Sequence, residues 1–174
     1  MIDKIKSIFT IPELRSRIIF TLSVLIVVRT GAHIPIPGVD GEILALAFDN
    51  LKSGLFGLFN TFVGGAFSQA SLFSLGIMPY ISSSIIIQLM GSVIPYFQRL
   101  QKEGEAGRKK ITQITRYGTV LLATIQGYGL SVGLEASQGL VINPGIFFKI
   151  STVTTIVAGT VFLMWLGEQI TQRG

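Results

Sequence analysis

The 174-residue sequence has no cysteine and one histidine, so neither a disulfide framework nor a thiolate metal site can be built from it. His33 has no second metal-type ligand at a suitable spacing and reads as an interfacial side chain. Charge is also scarce, at 13% of residues against roughly 25% in an ordinary soluble domain. The scarcity is uneven, because residues 53–98, between Lys52 and Arg99, carry no charged side chain at all. That stretch supplies no proton relay, ion-coordinating carboxylate or metal ligand. Paired carboxylates and a nucleophile with a nearby base are missing too, so no enzymatic chemistry and no cofactor are expected. The first 17 residues lack a continuous apolar core and no small-residue cleavage site follows, so no secretory leader is read.

What is present is apolar: 49% of the residues are hydrophobic, which marks a membrane chain. An apolar helix of about 20 residues crosses a bilayer core of roughly 30 Å. Residues 1–17 carry Lys4, Lys6, Arg15 and Arg17, with Ile5, Ile8 and Phe9 at helical spacing. They suit an amphipathic helix on the membrane surface, and a frayed basic tail is the alternative. Residues 18–37 form a first span that Pro35 and Pro37 stop, with Arg29 inside it as a snorkelling or structurally paired charge. A polar loop, 38–54, follows. The uncharged stretch then divides at Gly64 and Gly65 and again at Gly76 and Pro79 into a short piece, 55–71, and a full helix, 72–97. A basic segment, 98–117, leads to a span at 118–134, a loop at 135–145, a last span at 146–167 and a polar end at 168–174. Within 118–134, Gly129 and Gly133 form a G-x-x-x-G pair that permits close helix contact.

The positions of Lys and Arg give the topology. With the N-terminus inside and one crossing per apolar stretch, eleven of the 14 basic residues lie inside; Arg29, Lys52 and Lys149 are the others. Two crossings within 53–98 would move Arg99, Lys102, Arg108, Lys109, Lys110 and Arg116 outside, against the positive-inside rule. The surplus apolar residues therefore dip in and return on the same side. Irregular backbone at that depth needs shielding by protein or a water-filled cavity.

Ile77, Ile81 and Ile85 recur every fourth residue and share a helix face. Such a stripe is either core or lipid-facing; facing a cavity instead, branched aliphatic side chains would exclude water and ions by dewetting. Ser82, Ser83 and Ser84 read as small residues that allow close packing.

Several segments resemble the SecY family of protein-conducting channels in the general secretory pathway. They are residues 29–38 (RTGAHIPIPG), 59–66 (FNTFVGGA), 76–82 (GIMPYIS) running on to 87–89 (IQL), 102–110 (KEGEAGRKK), 115–118 (TRYG) and 165–170 (WLGEQI). The resemblance is collinear over nearly the whole chain. It implies an all-α integral membrane protein with four transmembrane helices and a short re-entrant plug helix, corresponding to the N-terminal half of a ten-helix channel. It implies that Phe62, Val63, Gly64, Gly65, Ala66 and Phe67 form the plug and its hinge. Ile77 and Ile81 would belong to an apolar pore ring, and Ser82, Ile85, Ile86, Gln88 and Leu89 to one side of a lateral gate. Arg99, Lys102, Arg108, Lys109, Lys110 and Arg116 would form a cytosolic basic loop. The partners it implies are the SecE and SecG subunits, the SecA motor ATPase or the ribosome, translocating polypeptides and signal sequences, the lipid bilayer, and helices 5 to 10 of the channel. The location it implies is a bacterial inner membrane, with a cytosolic N-terminus.

Two readings compete with a passive polypeptide channel. A secondary transporter also uses broken helices near the midplane, but needs an intramembrane ionisable group, for which Arg29 is the candidate. A nucleic-acid binder would use residues 99–116, yet Tyr96 and Tyr117 flank that basic run instead of interleaving it.

Overall fold

The computed structural model describes residues 11–41, 43–44, 55–137 and 139–173. Its helices are α1 (Pro12–Gly31), α2 (Leu55–Phe62), α3 (Met78–Val93), α4 (Pro95–Lys102), α5 (Glu105–Ala136) and α6 (Ile146–Arg173). Among the described residues there is no strand, only two isolated antiparallel bridges, so the fold is all-α. The surface segment expected at 1–17 lies outside the described residues up to residue 10, and from Pro12 it is part of α1.

The centre is an antiparallel pair, α5 and α6, with α3 packed mainly on α5 and also touching α6. Small side chains make this possible. Gly107, Thr115, Thr119, Ala123, Gly127 and Ser131 form a buried row along α5, most of them four residues apart. The hydroxyls in the row are satisfied within the helix, Thr115 donating to the Ile111 carbonyl at 2.9 Å and Thr119 to that of Thr115 at 2.8 Å. Stripes of this kind let membrane helices approach closely. The expected G-x-x-x-G contact is corrected here: Gly129 and Gly133 face open space, with nothing within 4 Å of where a side chain would begin. Gly127 is the glycine that meets α6, at Val153 and Ile156.

Several helix limits differ from expectation, each for a local reason. α1 ends at Gly31, before Pro35 and Pro37, because the following residues pair sideways. Ile36 N–H donates to the Ala70 carbonyl at 2.8 Å and Leu72 N–H to that of Ile34 at 2.9 Å, which holds 34–36 extended beside 70–72. The helix expected over 72–97 starts only at Met78, after Gly76 at φ +55°, and stops at Val93. Pro95 cannot donate a backbone hydrogen bond and holds Ile94 extended at ψ 120°, so α4 leaves α3 at 100°. The basic stretch 98–117 is mostly helical, made of the end of α4 and the first turns of α5, with one turn at Glu103 and Gly104. Hydropathy marks where side chains prefer lipid, whereas helix length follows backbone hydrogen bonding, so α5 and α6 run past the apolar limits of 118–134 and 146–167.

By length and apolarity α6 alone is fit to cross a membrane among the described helices, and α3 with α4 would add a second if the bent pair formed one span. α1 and α5 carry polar turns within their length: Glu13, Arg15 and Arg17 in α1, and the basic first turns of α5. One end of the bundle is closed by loops: Val39 bridges Val141, and Ile36, Leu75, Leu134, Leu140 and Phe148 form a buried cluster there.

Candidate functional site

α3 has two unlike faces. Pro79, Ser83, Ile87 and Gly91 are buried and four residues apart. Ser83 Oγ donates to the Thr115 carbonyl of α5 at 2.9 Å, and Gly118 is so close that an added side-chain carbon would overlap that hydroxyl. This contact fixes the rotation of α3, and the opposite face is left open. Ile77, Ile81 and Ile85 lie there at 48%, 39% and 51% exposure, with Leu89 next in the same row and Ile86 beside it. Ser82 is half-buried, and Gln88 is exposed and donates to Ser84 Oγ at 3.1 Å. The isoleucine stripe is therefore not core of this chain. Of the three serines, Ser83 makes the close helix contact.

Ile77 also lines a cleft of about 420 Å³ between the ends of α3, α5 and α6, shared with Tyr80, Thr112, Arg116, Leu163 and Glu168. Arg116 and Glu168 put an ion pair in the cleft wall, so the stripe begins beside polar groups and not in a wholly apolar surround.

The residues before α3 fold into a tight hairpin. α2 ends at Phe62, and Gly64 and Gly65 follow at φ +64° and +84°, values at which a side chain would be strained. Asn60 closes the turn twice: its carbonyl accepts from Gly65 N–H at 2.8 Å and its Oδ1 from Ser68 N–H at 2.9 Å. Ser68 Oγ donates back to the Gly65 carbonyl at 2.9 Å. The two glycines thus sit inside a hydrogen-bonded turn. Phe62 is 85% exposed, Val63 is half-buried and lies against Gly76, Phe67 is half-buried, and Ala66 is buried with Ala32, Phe73 and Leu163. Arg29, in the last turn of α1, donates from Nη1 to the Gly64 carbonyl at 2.7 Å.

The basic residues do not converge on this site. Arg99 and Lys102 are exposed on α4, and Arg108, Lys109 and Lys110 on the first turns of α5. Arg116 differs, because it makes a bidentate pair with Glu168 of α6, Nη2 to Oε2 at 2.6 Å and Nε to Oε1 at 2.9 Å. At the other end of the same helices Lys149 pairs with Glu135 at 2.8 Å. Sequence reasoning did not single out Asn60 or Glu168. Asn60 carried a readable signal, an amide side chain four residues before a glycine pair, as turn-closing side chains often stand. Glu168 carried none, since its partner lies 52 residues away.

A family model described as SecY matches residues 71–174. The chain is similar to the protein translocase subunit SecY of Escherichia coli K12, 53% identical over 165 residues that cover 93% of this chain and 37% of the relative. The subunit of the same name from Buchnera aphidicola is 53% identical, over 93% of this chain and 46% of the relative, and that from Rickettsia bellii 53%, over 93% and 38%. The chain spans less than half the length of these curated relatives.

Proposed function

The chain belongs to the SecY family, and from that premise we propose that it is the N-terminal half of a protein-conducting channel that makes and breaks no covalent bonds. Unfolded polypeptides pass through the channel, and membrane segments leave it sideways into lipid. α1, α5, α6 and the segment 72–97 that contains α3 supply its four membrane crossings, and the channel's helices 5 to 10 complete the pore. Residues 55–71 are the plug. Ile77 and Ile81 contribute to the apolar ring; Ser82, Ile85, Ile86, Gln88 and Leu89 form one side of the lateral gate. SecE, SecG, and the SecA motor or the ribosome are its partners, and the N-terminus is cytosolic.

One observation carries this reading: an uncharged isoleucine stripe on the face of α3 opposite its packed one, left open and beginning at a cleft that holds the Arg116–Glu168 pair. A transporter would require an ionisable group facing its substrate, and the Arg29 guanidinium is engaged by a carbonyl. Ile77→Gly with Ile81→Gly in the assembled channel tests the ring. Resting ion conductance is expected to rise, because smaller side chains leave a wetter constriction. Conductance equal to that of the unaltered channel would remove both residues from the ring.

A further inference from the structure

The hairpin at 60–68 closes on itself by hydrogen bonds and packs outward through Ala66, buried with Ala32, Phe73 and Leu163. Asn60 and Ser68 lock its two arms together, so it moves as one piece or not at all. At its base Ser71 N–H donates to the Ala66 carbonyl at 3.0 Å, and the following residues are fixed outside it, where Ala70 and Leu72 pair with Ile36 and Ile34 beyond the end of α1. Ala70 itself has φ +39°, an unusual conformation for a residue with a side chain, so backbone strain sits at that base. Toward its tip, Arg29 Nη1 reaches from α1 to the Gly64 carbonyl.

We propose that Arg29 is the latch of the plug: its guanidinium, hydrogen-bonded to the Gly64 carbonyl, holds the hairpin against α1 in the closed channel, and opening begins with loss of that bond. This rests on the channel reading given above. The chemistry suits a latch. A charged donor on a neutral carbonyl is stronger than an ordinary amide bond, yet it lacks the second charge that would make release as costly as breaking a buried ion pair. The donor stands on a helix and the acceptor on a turn, so release requires no helix to unwind. Gly64 serves the acceptor role because its positive φ presents the carbonyl to α1 without a strained side chain.

The test uses the assembled channel in lipid with Arg29→Gln, Arg29→Lys and the Ile77→Gly/Ile81→Gly pair. Hydrogen exchange of the amides at 60–68 is read against those of the α5 seam at 119–131, and resting conductance is recorded. Arg29→Gln is expected to speed exchange at 60–68 about tenfold, the scale of one charge-assisted bond, with the seam unchanged and conductance raised. Arg29→Lys, which keeps the charge but not the planar fork, falls between. Unchanged exchange at 60–68 overturns the latch. So does faster exchange with unchanged conductance while the isoleucine pair conducts, since the hairpin would then be held by Arg29 without sealing anything. If the isoleucine pair also leaves conductance unchanged, the ring assignment of Ile77 and Ile81 falls, and the exchange result alone decides whether Arg29 holds the hairpin. Should Arg29→Gln fail to accumulate, Arg29→Lys decides: partial loosening supports the latch, and exchange and conductance like those of the unaltered channel overturn it.

Discussion

Gly118 and Ser83 show how a single absent atom orients the open face of α3. The α3 hydroxyl occupies the place a side chain at 118 would take, and its bond to the Thr115 carbonyl needs that proximity. Replacing Gly118 by valine forces the helices apart and is expected to cost about 1–3 kcal/mol, the usual penalty of overpacking. A lower unfolding temperature of the purified channel would measure it; Ser83→Ala, which loses one bond and no space, costs about 1 kcal/mol. The contrast between the two reads packing apart from hydrogen bonding. At this scale the sequence was only partly legible. Gly129 and Gly133 stand out in the sequence because glycine is conspicuous, while the seam itself is written in threonine, alanine, serine and a different glycine, Gly127, at the same spacing. Close approach needs smallness, not glycine, and a search for any small residue every fourth position would have found Thr115 to Ser131. Ile77 and Ile81 were legible as a stripe, but spacing could not say which way the stripe faces. Ser83 decides that.

The bent pair α3 and α4 and the corner from α4 into α5 are the element-scale features. Phe97 and Leu100 bury the apolar side of α4 while Arg99 and Lys102 remain exposed, so this short helix lies across the end of α3 as an amphipathic strap. The corner is closed by Gly107, where the Leu100 carbonyl occupies the space of an absent side chain. Gly107→Ala is therefore expected to open the corner. Protease cleavage within Pro95–Lys102 should become faster, and cleavage of α6 should not change. The existence of α1, α3, α5 and α6 was readable from apolar runs, and the break after α2 from Gly64 and Gly65. Their ends were less so, because polar turns continue a helix as readily as apolar ones and because α1 is stopped by the pairing of Ile34 and Ile36 with Leu72 and Ala70, not by its nearest prolines.

For the whole molecule the topology rests on charge asymmetry. Ala106 is exposed at the start of α5 beside Arg108, Lys109 and Lys110. Because the chain has no cysteine, Ala106→Cys introduces its only thiol in this segment. A membrane-impermeant thiol reagent is expected to label it from the cytosolic side alone, and labelling from outside would reverse the placement of all six basic residues from Arg99 to Arg116. The charge count was fully legible in sequence. The cross-helix ion pairs were not: Arg116 and Glu168 meet from the two far ends of the α5–α6 hairpin, and Glu135 and Lys149 meet only because the loop between them turns the chain back.

Those two pairs have a consequence for the lipid. Arg116 and Glu135 are 19 residues apart on α5, and Lys149 and Glu168 are 19 apart on α6. At about 1.5 Å per residue, both intervals come to about 28 Å, close to the hydrocarbon thickness of a bilayer. The helix pair therefore carries matched charged collars whose separation is set by residue count and cannot stretch. If α5 and α6 cross as proposed, a thicker or thinner bilayer would have to deform or tilt the pair to meet them, so hydrophobic mismatch would fall on the lipid and the tilt of the hairpin, and the small-residue seam between the collars would keep its register.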